Sequence, residues 1–451
     1  MIGLKSLVMR KLDPVIIMET SIWQQTCTLP SFPPLSGNAK TDVLIIGGGM
    51  AGLLCAYQLR QSGVDCLVIE AERIGAGVTG NTTAKITSQH GLVYQELLRE
   101  FGADTAQGYY LANQEALEEY GRLAGQIPCD FEIKDNYIYS VDAQIKLEEE
   151  LKALSHLGIP GEYVPNLPLP ISTSGAVCFR EQAQFHPLKF LRGIAEGLQI
   201  RELTRAVKIN KRYILTDRGR IQAEKVIVAT HFPVWNRRGL YFLKQYQSRA
   251  YALALEGAGS LNGMYLDSDS NGFSFRSHGD TLILGSGGHR TGKQSKGWEP
   301  LSALAQAHYP GGREVARWAT QDCMTLDGMP YIGQYSPHTP WLYVATGFNK
   351  WGMTGSMVSA MLLRDLILGR ENPYSHVFDP SRSMLHPQLA VNGWESALHL
   401  LKPTGPRCPH LGCALEWNPW EHSWDCPCHG SRFSETGELL ENPAKRDLNR
   451  K

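Results

Sequence analysis

Apolar residues in this chain come in runs, and the runs differ in period. Val43 to Ile46 is continuously apolar, the pattern of a strand covered on both faces in a parallel sheet. A glycine-rich break follows, then a helical period through Gln61, then a second apolar run from Asp65 to Glu70. Further on, "YQELLREFGADTAQGYYLANQEALEEYGRLAGQ", starting at Tyr94, reads as amphipathic helix. Lys146 to Leu154, "KLEEELKAL", reads as the solvated face of a helix. The segments Asp130–Val141, Gln247–Leu255 and Phe273–Arg290 read as strands of a sheet, and Leu301–Tyr309 is helical. Leu342 to Ala345 is a short buried strand, Gly347 turns the chain, and Gly352-Met353-Thr354-Gly355 opens a helix of small and apolar residues. No fixed period of self-similarity is present, which argues against a repeat architecture.

Composition narrows the class. The 451 residues exceed one ordinary core, so two or three structural units are expected. Hydrophobic residues make up 43% and charged residues 20%, a soluble globular profile. Lys plus Arg and Asp plus Glu are 44 each, which argues against nucleic acid or an anionic membrane held by bulk charge. No run reaches the roughly 18 apolar residues of a membrane span. "DPVIIMETSIW" is too short and acidic for a signal-peptide core, and a cytoplasmic location is expected. Cys27, Cys55, Cys66, Cys129, Cys178 and Cys323 follow no pattern and are expected as free, buried thiols.

The first break carries chemistry. Gly47-x-Gly49-x-x-Gly52 lies between a strand and a helix, and an acid, Glu70, ends the next strand 18 residues beyond Gly52. That is the order of the dinucleotide fingerprint. Gly47 permits the tight turn, Gly49 the approach of a pyrophosphate, and Gly52 the close packing of helix on strand. The helix N-terminus offers N–H groups to phosphate, and Glu70 can accept from a ribose diol.

"IGAGVTGNTTAKITSQHG" from Ile74 resembles the segment after the second strand in the D-amino-acid-oxidase and glycine-oxidase-like superfamily of FAD enzymes. "KVIVATHFP" from Lys225 and "TLDGMPYIG" from Thr325, followed by "LYVATGFNKWGMTGSMVSAMLLRDLI" from Leu342, are similar to later segments of the same superfamily, in the same order. The resemblance implies an α/β fold: a Rossmann-like FAD domain with a mixed β-sheet substrate domain above the flavin. It implies FAD contacts from Gly47, Gly49, Met50, Ala51, Gly52, Glu70, Ala71, Thr79, Gly80, Thr83, Val207, Ala229, Gly347, Gly352, Met353 and Thr354. The helix opening at Gly352 would stabilise negative charge on the reduced flavin.

The C-terminal stretch "RCPHLGCALEWNPWEHSWDCPCHGSRF", from Arg407 to Phe433, holds four of the ten cysteines. Cys408-x-His410 and Cys426-x-x-His429 place one thiolate and one imidazole on each of two short loops, with Cys413 and Cys428 beside them. Zinc accepts two cysteines and two histidines, but its fingers usually group like with like. A plain disulfide pair leaves two cysteines and two histidines unexplained. A mixed-ligand [2Fe–2S] centre takes two histidines in place of two cysteines, at a potential of roughly −150 to +300 mV. "CPHLGC" and "CPCHGS" resemble the two ligand boxes of Rieske proteins. By that resemblance Cys408 and Cys426 hold one iron, His410 and His429 the other, and Cys413 and Cys428 form a disulfide between the loops. Ser431 stands where such proteins place a hydroxyl that bonds a bridging sulfide. Phe433 stands where many have Tyr, which implies an intermediate potential. Pro409 replaces the usual Thr, and His422 is expected on the surface. Gly369 to Cys408 holds little strand-like sequence, so this all-β domain is expected to be small, apparently truncated and braced by the flavin domain, with Trp417, Trp420 and Trp424 packed over the loops.

The expected organisation is an N-terminal extension (1–40), an FAD oxidoreductase (41–370), a linker (371–402) and a Rieske domain (403–451). Within 41–370 the FAD-binding parts are 41–91, 181–235 and 325–370, and the cover parts are 92–180 and 236–324. The combined resemblance implies a dehydrogenase acting on a small amine or amino acid at its C–N bond, with electrons passing from FAD to the [2Fe–2S] cluster and on to a carrier such as a ferredoxin. Alternatives are a ferredoxin-fed reductase running in reverse, and a non-catalytic redox sensor or electron-transfer module. A flavin monooxygenase is not favoured, as the Gly-Asp phosphate motif is lacking. Lys350 and Trp351, beside the flavin-facing helix, and Arg276, in the expected cover sheet with Tyr251 and His289, are the catalytic candidates.

Overall fold

The computed structural model describes residues 20–235 and 238–448. Residues 1–19 of the expected N-terminal extension lie outside the described residues.

The run at Val43–Ile46 belongs to the strand Ala39–Ile46, which lies in the middle of an eight-stranded sheet. Cys66–Ile69 and then Gln199–Arg201 pair parallel on one side of it, Arg220–Val228 and then Leu342–Thr346 on the other. Tyr331–Gln334 adds an antiparallel edge, and the hairpin Ala206–Ile209/Ile214–Thr216 branches from Arg220–Val228. Alternate side chains of the central strand feed different cores. Val43 and Ile45 pack with the helices Met50–Gln61 and Gly352–Leu368, whereas Leu44 and Ile46 face a second cluster with Val226, Tyr331 and Leu342. Burial on both faces is why the run is unbroken.

The alternating segments build a second, nine-stranded sheet. Its order runs from Arg313–Thr325 through Gln245–Glu256, Thr281–Arg290, Ser274–His278, Met264–Asp267, Glu132–Tyr139 and Ala176–Gln184 to Lys85–Ile86, and Glu162–Val164 pairs with Ala176–Gln184 off this path. All of its pairings are antiparallel except that of Met264–Asp267 with Glu132–Tyr139. The helix Tyr94–Ala124 covers this region. It breaks at Gly102, whose φ of 81° lies in the left-handed region.

The helix Gln144–Leu157 forms where the charged run predicts it, but one of its acids is not solvated. Glu150 is 1% exposed and accepts from the backbone N–H groups of Tyr94 (3.0 Å) and Gln95 (2.8 Å). The first turn of Tyr94–Ala124 has unpaired N–H donors, and Glu150 caps them from a neighbouring helix.

The C-terminal unit begins with the helix Pro387–Leu401 and continues as four three-residue antiparallel strands, Glu416–Asn418, Ser423–Asp425, Arg432–Ser434 and Leu439–Glu441. Its core is small and built on the four cysteines of the loops, with Leu415, Phe433 and Ala444. Of the three tryptophans, Trp417 and Trp424 meet each other at 5.1 Å, but Trp420 does not pack over the loops. Its Nε1–H donates to the Ser295 carbonyl (3.0 Å), and its ring lies against Gly297 of the oxidoreductase, where a Cβ would come within 2.3 Å. Among the described residues no helix is long and apolar enough to cross a membrane.

Candidate functional site

The glycine-rich turn is built by steric necessity. A Cβ on Gly47 (φ +119°) would lie 2.4 Å from the Ala229 carbonyl oxygen, and one on Gly52 would lie 1.9 Å from the Gly47 oxygen. Glu70 is fixed by two backbone donors, Gly48 N–H to one oxygen (2.6 Å) and Glu72 N–H to the other (2.9 Å). Burial raises its pKa against these hydrogen bonds. Thr79 Oγ1 accepts from Met50 N–H at 3.0 Å and ties the helix N-terminus to the following loop.

These residues open onto a cavity of about 330 Å³. Gly47, Gly49, Met50, Ala51, Glu70, Ala71, Thr79, Ala229, Gly352 and Met353 line it, so the expected phosphate end and flavin end share one space. Gly52, Gly80, Thr83, Val207, Gly347 and Thr354 do not line it. Gly52 and Gly347 allow close backbone contacts, the latter with φ +72° and Thr325 2.3 Å from a built Cβ. Thr354 Oγ1 donates to the Thr87 carbonyl at 2.9 Å, and Val207 is 49% exposed on the side hairpin, where its neighbour Ala206 reaches the cavity instead. The acid-fixed turn, the open helix N-terminus and the extended shape of the lining fit a bound FAD.

The catalytic candidates stand elsewhere. Arg276 is 0% exposed and donates through Nη1 to the carbonyls of Thr83 (2.6 Å) and Ala84 (2.7 Å), while its guanidinium lies over the Trp23 ring at 5.3 Å. It braces the loop of Thr83. Lys350 has φ +74° and acts electrostatically on Asp322, whose carboxyl burial pushes up to about 6. Trp351 stacks on His90 at 4.7 Å. Tyr251 and His289 stack on each other at 5.8 Å. None of these lines the cavity.

The two cysteine loops meet at the C-terminal unit. Cys413 and Cys428 are joined by a disulfide, and the sulfurs of Cys413, Cys426 and Cys428 lie within 4.8 Å of one another. Cys408 and Cys426 are buried and free, and a hydrogen bond from Cys426 pulls the Cys408 pKa down, with Ser431 as a further partner. The His410 and His429 rings are 4.9 Å apart and nearly perpendicular. Burial pushes their pKa values down to about 3 and about 4, so both are neutral imidazoles. His429 Nε2 lies 3.0 Å from the Phe242 carbonyl, while its buried Nδ1 has no hydrogen-bond partner among the described residues. An Nε2–H held by a carbonyl leaves Nδ1 as a lone-pair donor, the arrangement of a metal-ligating histidine. Two thiolates and two neutral imidazoles are the donor set of a mixed-ligand [2Fe–2S] centre. Phe433 is fully buried beside the cysteines, and His422 is exposed. The other six cysteines are free and buried, as their lack of pattern implies.

The loops of this unit are held by the oxidoreductase. Gln247 Nε2 donates to the His429 carbonyl (2.8 Å) and Gln321 Nε2 to the Gly430 carbonyl (2.9 Å). Arg290 donates to the carbonyls of Pro427 (2.8 Å) and Cys428 (3.2 Å). Phe232 meets both imidazoles, with ring centroids 6.4 Å from His410 and 6.1 Å from His429. A buried ionic network locks the edge: Arg249 of the large sheet binds Glu421 and Glu441, which also bind Arg432 of the small one. Gln321 and His231 line the dinucleotide cavity as well, as do Leu440, Glu441, Asn442, Ala444 and Lys445 of the C-terminal unit. The two sites therefore share a wall. No sequence motif marks these residues, because they come from four separate segments.

Comparison with known proteins agrees with this geometry. The family model "FAD dependent oxidoreductase" matches residues 42–366 and "Rieske [2Fe-2S] domain" matches residues 393–450. YhfW of Bacillus subtilis (strain 168), by name a Rieske 2Fe-2S iron-sulfur protein, is 37% identical over 94% of this chain and 96% of its own. Gamma-glutamylputrescine oxidoreductase of Escherichia coli (strain K12) is 25% identical over 44% of this chain and 50% of its own. The crystal structure of L-proline dehydrogenase from P. horikoshii superimposes with a TM-score of 0.65 at 17% identity, covering 76% of this chain and 98% of that one.

Proposed function

We propose a function that starts from the family, for this chain belongs to the FAD-dependent oxidoreductases and carries a C-terminal Rieske [2Fe–2S] domain. The reading is a dehydrogenase that oxidises a small amine or amino acid at its C–N bond and delivers the electrons to a carrier protein such as a ferredoxin. When bound, FAD accepts two electrons as a hydride equivalent from the substrate, and the [2Fe–2S] cluster relays electrons one at a time. Cys408, His410, Cys426 and His429 are the proposed cluster ligands, and the lining set from Gly47 to Met353 the FAD contacts.

One observation carries the reading: Gln321 lines the FAD cavity and its amide holds the carbonyl of Gly430, the residue after His429. Gln247 joins the same link, since its Oε1 accepts from Gln321 (2.8 Å) while its Nε2 holds His429. These side chains tie the cluster loop to the cavity wall, and the buried Phe232 ring packs against both imidazoles. The amine class rests on the relatives, named for a putrescine derivative and for proline.

Anaerobic stopped-flow spectroscopy with candidate amines tests this. The expected result is bleaching of the flavin, followed by the electron paramagnetic resonance signal of the reduced cluster. Cluster reduction by reduced ferredoxin ahead of the flavin, with no bleaching by any amine, would replace the dehydrogenase with the reverse-running reductase.

A further inference from the structure

The cavity that takes FAD is not closed by the oxidoreductase alone. Phosphate-turn residues Gly47 and Gly49 line it on one side, and Glu441, Asn442, Ala444 and Lys445 on another. The second group lies in the C-terminal unit and begins at the end of its last strand, Leu439–Glu441. We propose that the Rieske unit completes the FAD site, with Lys445 as a cation for the diphosphate and Asn442–Lys445 as the wall that retains the dinucleotide.

The wall is anchored from both sides. Asn442 Nδ2 donates to the Thr230 carbonyl at 2.5 Å, directly after Ala229 of the cavity lining. The Asn442 carbonyl accepts from Gln247 at 3.1 Å. Ala444 N–H donates to Ser431 Oγ at 3.0 Å, and Ser431 is also a hydrogen-bond partner of Cys408. The segment therefore spans from the strand end at Ala229 to the sulfur loops.

Of the cations on the lining, Arg73 and Arg205 belong to the oxidoreductase and Lys445 to the C-terminal unit. Of the lining's acids, Glu70 is held by backbone N–H groups and Glu441 by Arg249 and Arg432. Arg73 is paired with Glu202 at 2.6 Å. Lys445 forms no ion pair among the described residues, and the chain around it lowers its pKa, a penalty that a neighbouring phosphate would offset. Unpartnered buried polar atoms on the same lining, His231 Nε2 and Thr320 Oγ1, mark it as built for a polar ligand.

If the unit is a wall, its docking and FAD binding are linked, and each strengthens the other by the same factor. Arg249 does not line the cavity, so loosening the unit through Arg249 should still weaken FAD binding.

The test measures FAD affinity and not turnover. FAD-depleted protein is titrated with FAD by flavin fluorescence, with cluster content monitored by electron paramagnetic resonance. Lys445→Ala should raise the Kd about tenfold, as expected for loss of one charge-assisted contact, and Lys445→Glu should raise it further. Lys445→Arg should stay near wild type. Arg249→Met should raise the Kd with Lys445 intact. A Lys445→Glu protein that keeps its cluster and binds FAD within twofold of wild type would overturn the proposal. The inference stands on FAD occupancy alone, so a wrong substrate or a reversed electron flow would leave its outcome unchanged.

Discussion

Replacing Arg249 with Met probes the contact that seats the iron–sulfur unit. Arg249 is 3% exposed and reaches across the interface to Glu421 through Nε (2.6 Å) and Nη2, and to Glu441 through Nη1 (3.0 Å). Burial alone would raise the Glu421 pKa, yet Arg249 and then Arg432 outweigh it and bring it from 4.5 down to about 2. At 1.36 kcal/mol per unit, the guanidinium pair favours this carboxylate by on the order of 3 kcal/mol. Breaking a fully buried pair costs about 3–5 kcal/mol. Arg432 remains within 2.9 Å of Glu421, so the expected loss for Arg249→Met is about 2–3 kcal/mol. The pH dependence has a definite sign. A depressed carboxyl pKa contributes stability that is present above 4.5 and lost as pH falls through about 2. In Arg249→Met the Glu421 pKa returns toward 4.5, and acid release of the unit moves to higher pH. Urea and acid titrations followed by the visible circular dichroism of the cluster read both effects. A double-mutant cycle with Glu421→Gln should give a coupling above about 1.5 kcal/mol. An unchanged urea midpoint with an unchanged acid midpoint would show that the network does not hold the unit, and the reasoning would fail.

Gly47→Ala places a methyl 2.4 Å from the Ala229 carbonyl at a φ of +119°, so it should cost about 2 kcal/mol or more and leave the purified protein low in flavin by absorbance. Glu150→Gln should flatten the pH profile of thermal stability. Burial raises the Glu150 pKa from 4.5 to about 7, so its contribution is present below 4.5 and is lost as pH rises through 7. The wild-type melting temperature should fall across that window relative to the variant, and parallel profiles would remove Glu150 as the cause. At low pH the protonated Glu150 and the Gln amide each offer one full carbonyl acceptor to Tyr94 and Gln95, so the two proteins should agree within about 1 kcal/mol.

Local sequence was sufficient wherever the physics was local. The turn from Gly47 to Gly52 could be read because only glycine fits against the Ala229 carbonyl and the Gly47 oxygen. The continuous run at Val43–Ile46 reported its two covered faces, and the paired boxes around Cys408 and Cys426 carried their donors in order. Arg276 was misleading: a charged residue in a sheet suggests a ligand, but the fold gives its guanidinium two backbone carbonyls and the Trp23 ring. Glu150 looked solvated within a charged helix because the N–H groups it caps belong to another helix, more than 50 residues away in sequence. Gln247 and Gln321 have no local signature, since each acts through a partner from a distant segment. The sequence by itself determined the two cofactor classes, because phosphate turns and metal boxes are short-range structures whose residues are neighbours along the chain. Only the tertiary structure decided that the two sites share a wall, because that depends on where Arg249, Gln321 and Asn442 find their partners once both sheets have formed and packed.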